Sequence, residues 1–167
     1  MVLLRLSKIV MVAGLAAYAL LVAFGNITDY GSNFAFIQHV MSMDTTFPGN
    51  RLMYRAITSP ALHNIAYCAI IAGEALAGFV LAIAAWRLWS ARNDAVRFAS
   101  AKGLVALGVA LAFLIWFVGF QVIAGEWFAM WQSATWNGQE SAFRFVACFL
   151  LVTVFVMMPE PDGQPRM

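Results

Sequence analysis

Charge is what this sequence has least of. Asp, Glu, Lys and Arg make up 11% of its 167 residues, where a soluble domain carries about 25%. That scarcity excludes a soluble enzyme, a disordered tail and a coiled coil. The balance of ten basic against eight acidic residues, +2 net, is too small for a polyanion-binding surface, so no nucleic-acid partner is expected. Cysteine is nearly absent too. Cys68 and Cys148 both sit in apolar runs, which gives no disulfide framework and reads as two small core residues. Several motifs are missing: G-x-G-x-x-G, the P-loop, H-E-x-x-H, C-x-x-C and an Arg-rich helix. No enzymatic activity is legible, and none is expected.

What is present is hydrophobicity: 63% of the residues are apolar and the mean hydropathy is +0.80. A helix needs roughly 20 mostly apolar residues to cross the hydrocarbon core. Four segments meet or approach that length, at about 9–25, 62–88, 103–124 and 143–158. The last is short enough to start earlier, near Gln139, and Pro159 stops it. The expected fold is therefore an all-α integral membrane protein, a four-transmembrane-helix bundle in a single domain. Arg5 and Lys8 followed by Ala23-Phe24-Gly25 imitate a signal peptide, but the apolar run is long for one, and an uncleaved helix is expected.

Orientation follows from the basic residues of the short loops. Arg5, Lys8, Arg87, Arg92, Arg97, Lys102 and Arg166 fall on one side; Arg51, Arg55 and Arg144 fall on the other. Both termini are thus expected on the cytoplasmic side of an inner membrane. The inner loop 89–102 reads as a solvated turn, and the tail 159–167, with Glu160, as flexible. Small residues recur every fourth position at Ala69, Gly73 and Ala77 and again at Gly108 and Ala112, which suits close helix packing in lipid.

The two outer connections hold the information. Loops beyond about 12–15 residues are uncommon and tend to be functional or disordered; the segment 26–61 is longer and rich in apolar residues. Phe36, Ile37, Val40 and Met41 mark a helical stripe that Asp29 or Ser32 could cap. Pro48-Gly49-Asn50 predicts a turn, a second short helix is expected over about 51–58, and Pro60 suits a first helical turn. The connection 125–142 holds Trp127, Phe128, Trp131 and Trp136, which read as a headgroup-level aromatic belt or as the lining of a pocket.

Glu74 is the strongest single signal. A carboxylate near mid-membrane is costly unless it is paired, hydrated or protonated; Gln121, Tyr18 and Arg144 are its candidate partners. His63, Tyr67, Ile70 and Glu74 are spaced to share one helix face, a polar stripe from the outer surface to mid-membrane. His63, Tyr67 and Glu74, with Gln121, Arg144, Trp136 and Asn137, make up the candidate ligand-binding set. An outer cluster of Glu126, Gln139, Glu140, Arg144 and His63 is plausible, with Glu140 and Arg144 at an i, i+4 spacing. His39, Asp44, His63 and Glu126 offer metal-ligand chemistry, without a spacing that fixes a site.

Two functions fit. One is an accessory protein that docks a larger membrane complex, or itself, through its outer cap. The other is a subunit that binds a quinone, haem, metal or lipid in a cavity lined by His63, Tyr67 and Glu74. The stretches Asn26-Ile27-Thr28-Asp29-Tyr30 with Asn33, His39-Val40, Met43-Asp44-Thr45 and Tyr54-Arg55-Ala56-Ile57 resemble one bacterial family. So do Leu62-His63, Glu74, Trp136-Asn137-Gly138-Gln139 and Phe143-Arg144. This is the family of predicted small integral membrane proteins, domain of unknown function 2165. The resemblance implies four spanning helices and a bacterial inner membrane; it brings no activity with it.

Overall fold

A computed structural model describes residues 2–160. Helices α1 (Val2–Thr28), α2 (Tyr30–Ser42), α3 (Pro60–Ser90), α4 (Ala95–Phe113) and α5 (Gln139–Met157) make up most of it. A π-helical segment, Leu114–Trp127, continues α4 without a break. Among the described residues four helices are long and apolar enough to cross a membrane: Val2–Thr28, Pro60–Ser90, Ala95–Trp127 and Gln139–Met157. Even the shortest, with 19 residues, extends about 28 Å at 1.5 Å per residue, close to the thickness of the hydrocarbon core.

Local chemistry sets the helix ends. Pro60 occupies the first turn of α3, where its missing N–H is no loss. Asp94 caps α4 by accepting hydrogen bonds from the backbone N–H groups of Val96 and Arg97, each at 3.0 Å. Asp29 holds the N-cap position of α2 but makes no cap bond; instead it accepts from the Ser32 hydroxyl at 2.9 Å. The expected second helix of the first connection shrinks to one 3-10 turn, Met53–Arg55. Before it, the Pro48-Gly49-Asn50 turn is made with Gly49 at φ 75°, a conformation glycine adopts without strain.

The bundle runs α1, α3, α4, α5 in order of contact, with α2 lying against α3 at one end, called here the cap end. Small residues let the backbones approach. A Cβ at Gly78 would lie 2.7 Å from Leu20 Cγ and 3.1 Å from the Leu20 backbone nitrogen. Gly108 stands in the same relation to Leu81, and Ala77 and Ala112 are buried in the core while Ala69 is exposed. Gly78→Val therefore forces α1 away from α3. It should cost about 1–3 kcal/mol, read as a lowered unfolding temperature in detergent, whereas Gly14→Ala, which has open space around it inside α1, should not lower it, because alanine is the better helix former.

Three expectations need correction. The segment 89–102 is not a solvated turn throughout: α4 begins at Ala95, and its Phe98 and Lys102 are buried because they face the neighbouring helices and Glu160. Cys68 and Cys148 are exposed rather than in the core. Against lipid the exterior of a bundle is as apolar as its interior, so apolar neighbours do not tell the two apart. Glu160 is not part of a loose tail: it is 6% exposed at the end opposite the cap, and three cations surround it. Lys8 Nζ lies 2.7 Å from its carboxylate, Lys102 Nζ 2.8 Å and Arg5 Nε 3.5 Å. Both lysines also donate to the Met158 carbonyl, at 2.8 and 2.7 Å, where the α5 C-terminus favours positive charge. Burial alone would push the Glu160 carboxyl up, but the hydrogen bonds from Lys102 and Lys8 outweigh it and hold the group below the usual carboxylate range. The rest of the tail, 161–167, lies outside the described residues.

Candidate functional site

The four spanning helices part at the cap end around a cavity of about 400 Å³, within the ~300–1,000 Å³ range of small-molecule sites. Each contributes a wall. Asn26 comes from α1, Tyr67, Ile70 and Glu74 from α3, Trp116 and Phe120 from the π segment, and Phe145 from α5. The helix α2 adds Phe36 and Ile37, and the connection before α5 adds Trp136 and Asn137. Around the mouth stand the exposed polar residues Ser32, Asn33, Thr135, Asn137 and Ser141.

Glu74 forms the floor, 14 residues into α3 and so roughly 21 Å along its axis. It is 2% exposed. The Asn26 amide donates to its Oε2 at 2.8 Å and is its one hydrogen-bond partner among the described residues. The other carboxylate oxygen has no hydrogen-bond partner among the described residues. Tyr67 Oη donates to the Asn26 backbone carbonyl at 3.2 Å, so α1 and α3 are tied together at the floor. Asn26 was not among the partners expected for Glu74. Its signal was available: an amide in the last turn of a spanning helix, at a depth where lone polar groups need partners.

The aromatic walls brace one another. Trp116 stacks on Phe145 with centroids 4.5 Å apart and planes 4° from parallel; Tyr18 stacks on the same Phe145 at 4.4 Å. Phe36 faces Phe120 at 6.0 Å and Trp136 edge-on at 6.2 Å. Trp136 stacks on His39 at 4.6 Å, and the His39 imidazole meets the Asp44 carboxylate at 2.9 Å. Thus Trp136 lines the pocket, while Trp127 and Trp131 stay exposed at the cap as belt residues do.

Of the expected ligand-binding residues, Tyr67, Glu74, Trp136 and Asn137 converge on this cavity. His63 shares their buried face but does not line the cavity; its Nε2 meets the Ile57 carbonyl at 2.7 Å and fastens the cap to α3. Gln121 donates to the Gln139 carbonyl at 2.7 Å. Arg144 is exposed and pairs with Glu140 at 2.6 Å, one turn away, the i, i+4 pair the spacing predicts. Neither reaches Glu74, and the outer cluster does not assemble around His63. Among the described residues no three His, Cys, Asp or Glu side chains come together in a geometry that could hold a metal. Of His39, Asp44, His63 and Glu126, the structure joins only the first two.

The π segment is the feature that the sequence concealed. Its winding shows at its end, where the Phe128 N–H donates to the carbonyl of Ile123, five residues back, at 3.0 Å. Such winding is rare and frequently marks functional positions; here it presents Trp116 and Phe120 to the cavity.

Comparison with curated proteins and with solved structures found no match to either. The family model described as "Predicted small integral membrane protein (DUF2165)" matches residues 4–159, and with nearly its whole length matched the chain belongs to that family.

Proposed function

We propose that this protein binds a small molecule in the cap-end cavity, with Glu74 as the group that recognises it. One observation supports this above all: a nearly inaccessible carboxylate sits at the floor of an aromatic-walled cavity with a single hydrogen-bond partner among the described residues. A carboxylate held only to glue two helices needs no cavity beside it, and such a group in a spanning segment is a functional candidate by default. The setting we propose is a bacterial inner membrane with both termini cytoplasmic. The Arg5, Lys8 and Lys102 cluster together with Arg87, Arg92 and Arg97 supports that orientation, and it places the cavity mouth on the periplasmic side.

The second reading, docking to a larger complex or to another copy, is favoured by the exposed Phe47, Tyr54, Trp127 and Trp131 around the cap. A native mass spectrum of protein extracted from its own membranes in mild detergent separates the two. The expected result is a discrete increment above 18.3 kDa, retained by His63→Ala and lost in Glu74→Gln. A multiple of 18.3 kDa or a heavier mixed complex, with no increment and no effect of Glu74→Gln, would replace ligand binding by docking.

A further inference from the structure

A second cavity lies beside the first. It measures about 370 Å³ and is almost wholly apolar, formed by Val40 and Met41 of α2, Ala66 of α3, and Gly119, Ile123 and Ala124 of the π segment. The two cavities share Phe36, Ile37, Ile70 and Phe120 as a common wall. Among the described residues, the polar cavity is lined by one carboxylic acid, Glu74, and by no Lys, Arg or His, and the apolar one by no ionisable side chain.

We propose that the ligand is an amphipathic organic cation, an amine or quaternary ammonium whose head lies between Glu74 and the rings of Trp116, Phe120 and Trp136, and whose apolar tail fills the second cavity. This rests on the ligand-binding reading above and names the ligand's class. The chemistry is specific. Aromatic faces attract a cation, Trp most strongly, and the attraction grows as water is excluded. A carboxylate supplies the countercharge. An anionic head would face the Glu74 carboxyl with no Lys, Arg or His among the described lining residues to offset it. A neutral head would leave both the carboxylate and the ring faces unused. The adjoining cavity, with an uninterrupted apolar lining, suits an alkyl chain.

The test is calorimetric titration of the purified full-length protein in neutral maltoside micelles. The probes are decyltrimethylammonium, decanol and decyl sulfate, with tetramethylammonium as the tailless head. The wild type should bind decyltrimethylammonium saturably and at least tenfold more tightly than decanol. Glu74→Gln should weaken that binding tenfold or more, while Glu74→Asp, which keeps the charge, should keep the preference for the cation. Circular dichroism establishes that both variants fold. Ala66→Phe, which fills the apolar cavity, should weaken decyltrimethylammonium tenfold and leave tetramethylammonium unchanged. Decanol binding as tightly as the cation, and indifferent to Glu74→Gln, overturns the cation and leaves the ligand-binding reading standing. No saturable binding of any probe overturns both.

Discussion

Replacing Glu160 with alanine should destabilise the folded bundle by about 3–5 kcal/mol, the range for breaking a buried ion pair by removing one partner. The reason is the company it keeps. Lys8, 0% exposed, and Lys102 both hold the Glu160 carboxylate within 2.8 Å, and Arg5 is buried beside them. The Met158 carbonyl and the faces of Phe98 and Phe155 offset part of this charge; the carboxylate offsets the most. Because the folded state holds the Glu160 pKa below its ordinary value of 4.5, the contribution is present above that value and is lost as pH falls through the lowered one. Thermal unfolding in detergent should therefore separate wild type from Glu160→Gln at neutral pH and bring them together in acid. A pH-independent gap would mean that Glu160 acts by shape and hydrogen bonding alone. Replacing Lys8, Lys102 and Glu160 together by methionine should recover much of the loss, because replacing a buried ion pair or triad by apolar side chains is often neutral.

What the sequence makes legible is what depends on near neighbours. Hydrophobic run length finds the four spans, Pro60 and Pro159 bracket two of them, and the spacing of Glu140 and Arg144 announces their pair. The shared face of Tyr67, Ile70 and Glu74 becomes a cavity wall because helical phase depends only on residue separation. What stays hidden depends on partners far along the chain. Lys8 and Glu160 are 152 residues apart; each alone looks like a solvated charge near the end of the chain. Asn26 and Glu74 meet through the packing of α1 on α3, which no local pattern encodes. The π winding of 114–127 leaves the hydrophobic run unchanged, so run length cannot reveal it. His63 follows the helical phase onto the buried face, but phase says nothing of depth, and one turn from the start of α3 it meets the Ile57 carbonyl instead of the cavity.

Asn26→Leu should cost about 3 kcal/mol, the upper end for stranding a buried group and apt for a carboxylate. Among the described residues Asn26 donates the one hydrogen bond that Glu74 accepts, and Tyr67 is tied to the Asn26 backbone, which the substitution leaves in place. The loss should thus be local to the carboxylate, and a second change tests it: adding Glu74→Met should restore most of the stability, because replacing both partners by apolar groups is close to neutral. Glu74→Met alone should cost less than Asn26→Leu, since it strands only a half-buried amide. The cycle is read from unfolding temperatures of the four proteins in one detergent. A double variant as unstable as Asn26→Leu would show that Asn26 acts through α1–α3 packing and not through Glu74. The restored double variant should also retain no ligand increment in its native mass spectrum. Stability regained together with binding lost is the signature of a residue kept for its ligand at the expense of the fold. A double variant that is stable and still ligand-bound would move recognition from Glu74 to the aromatic walls.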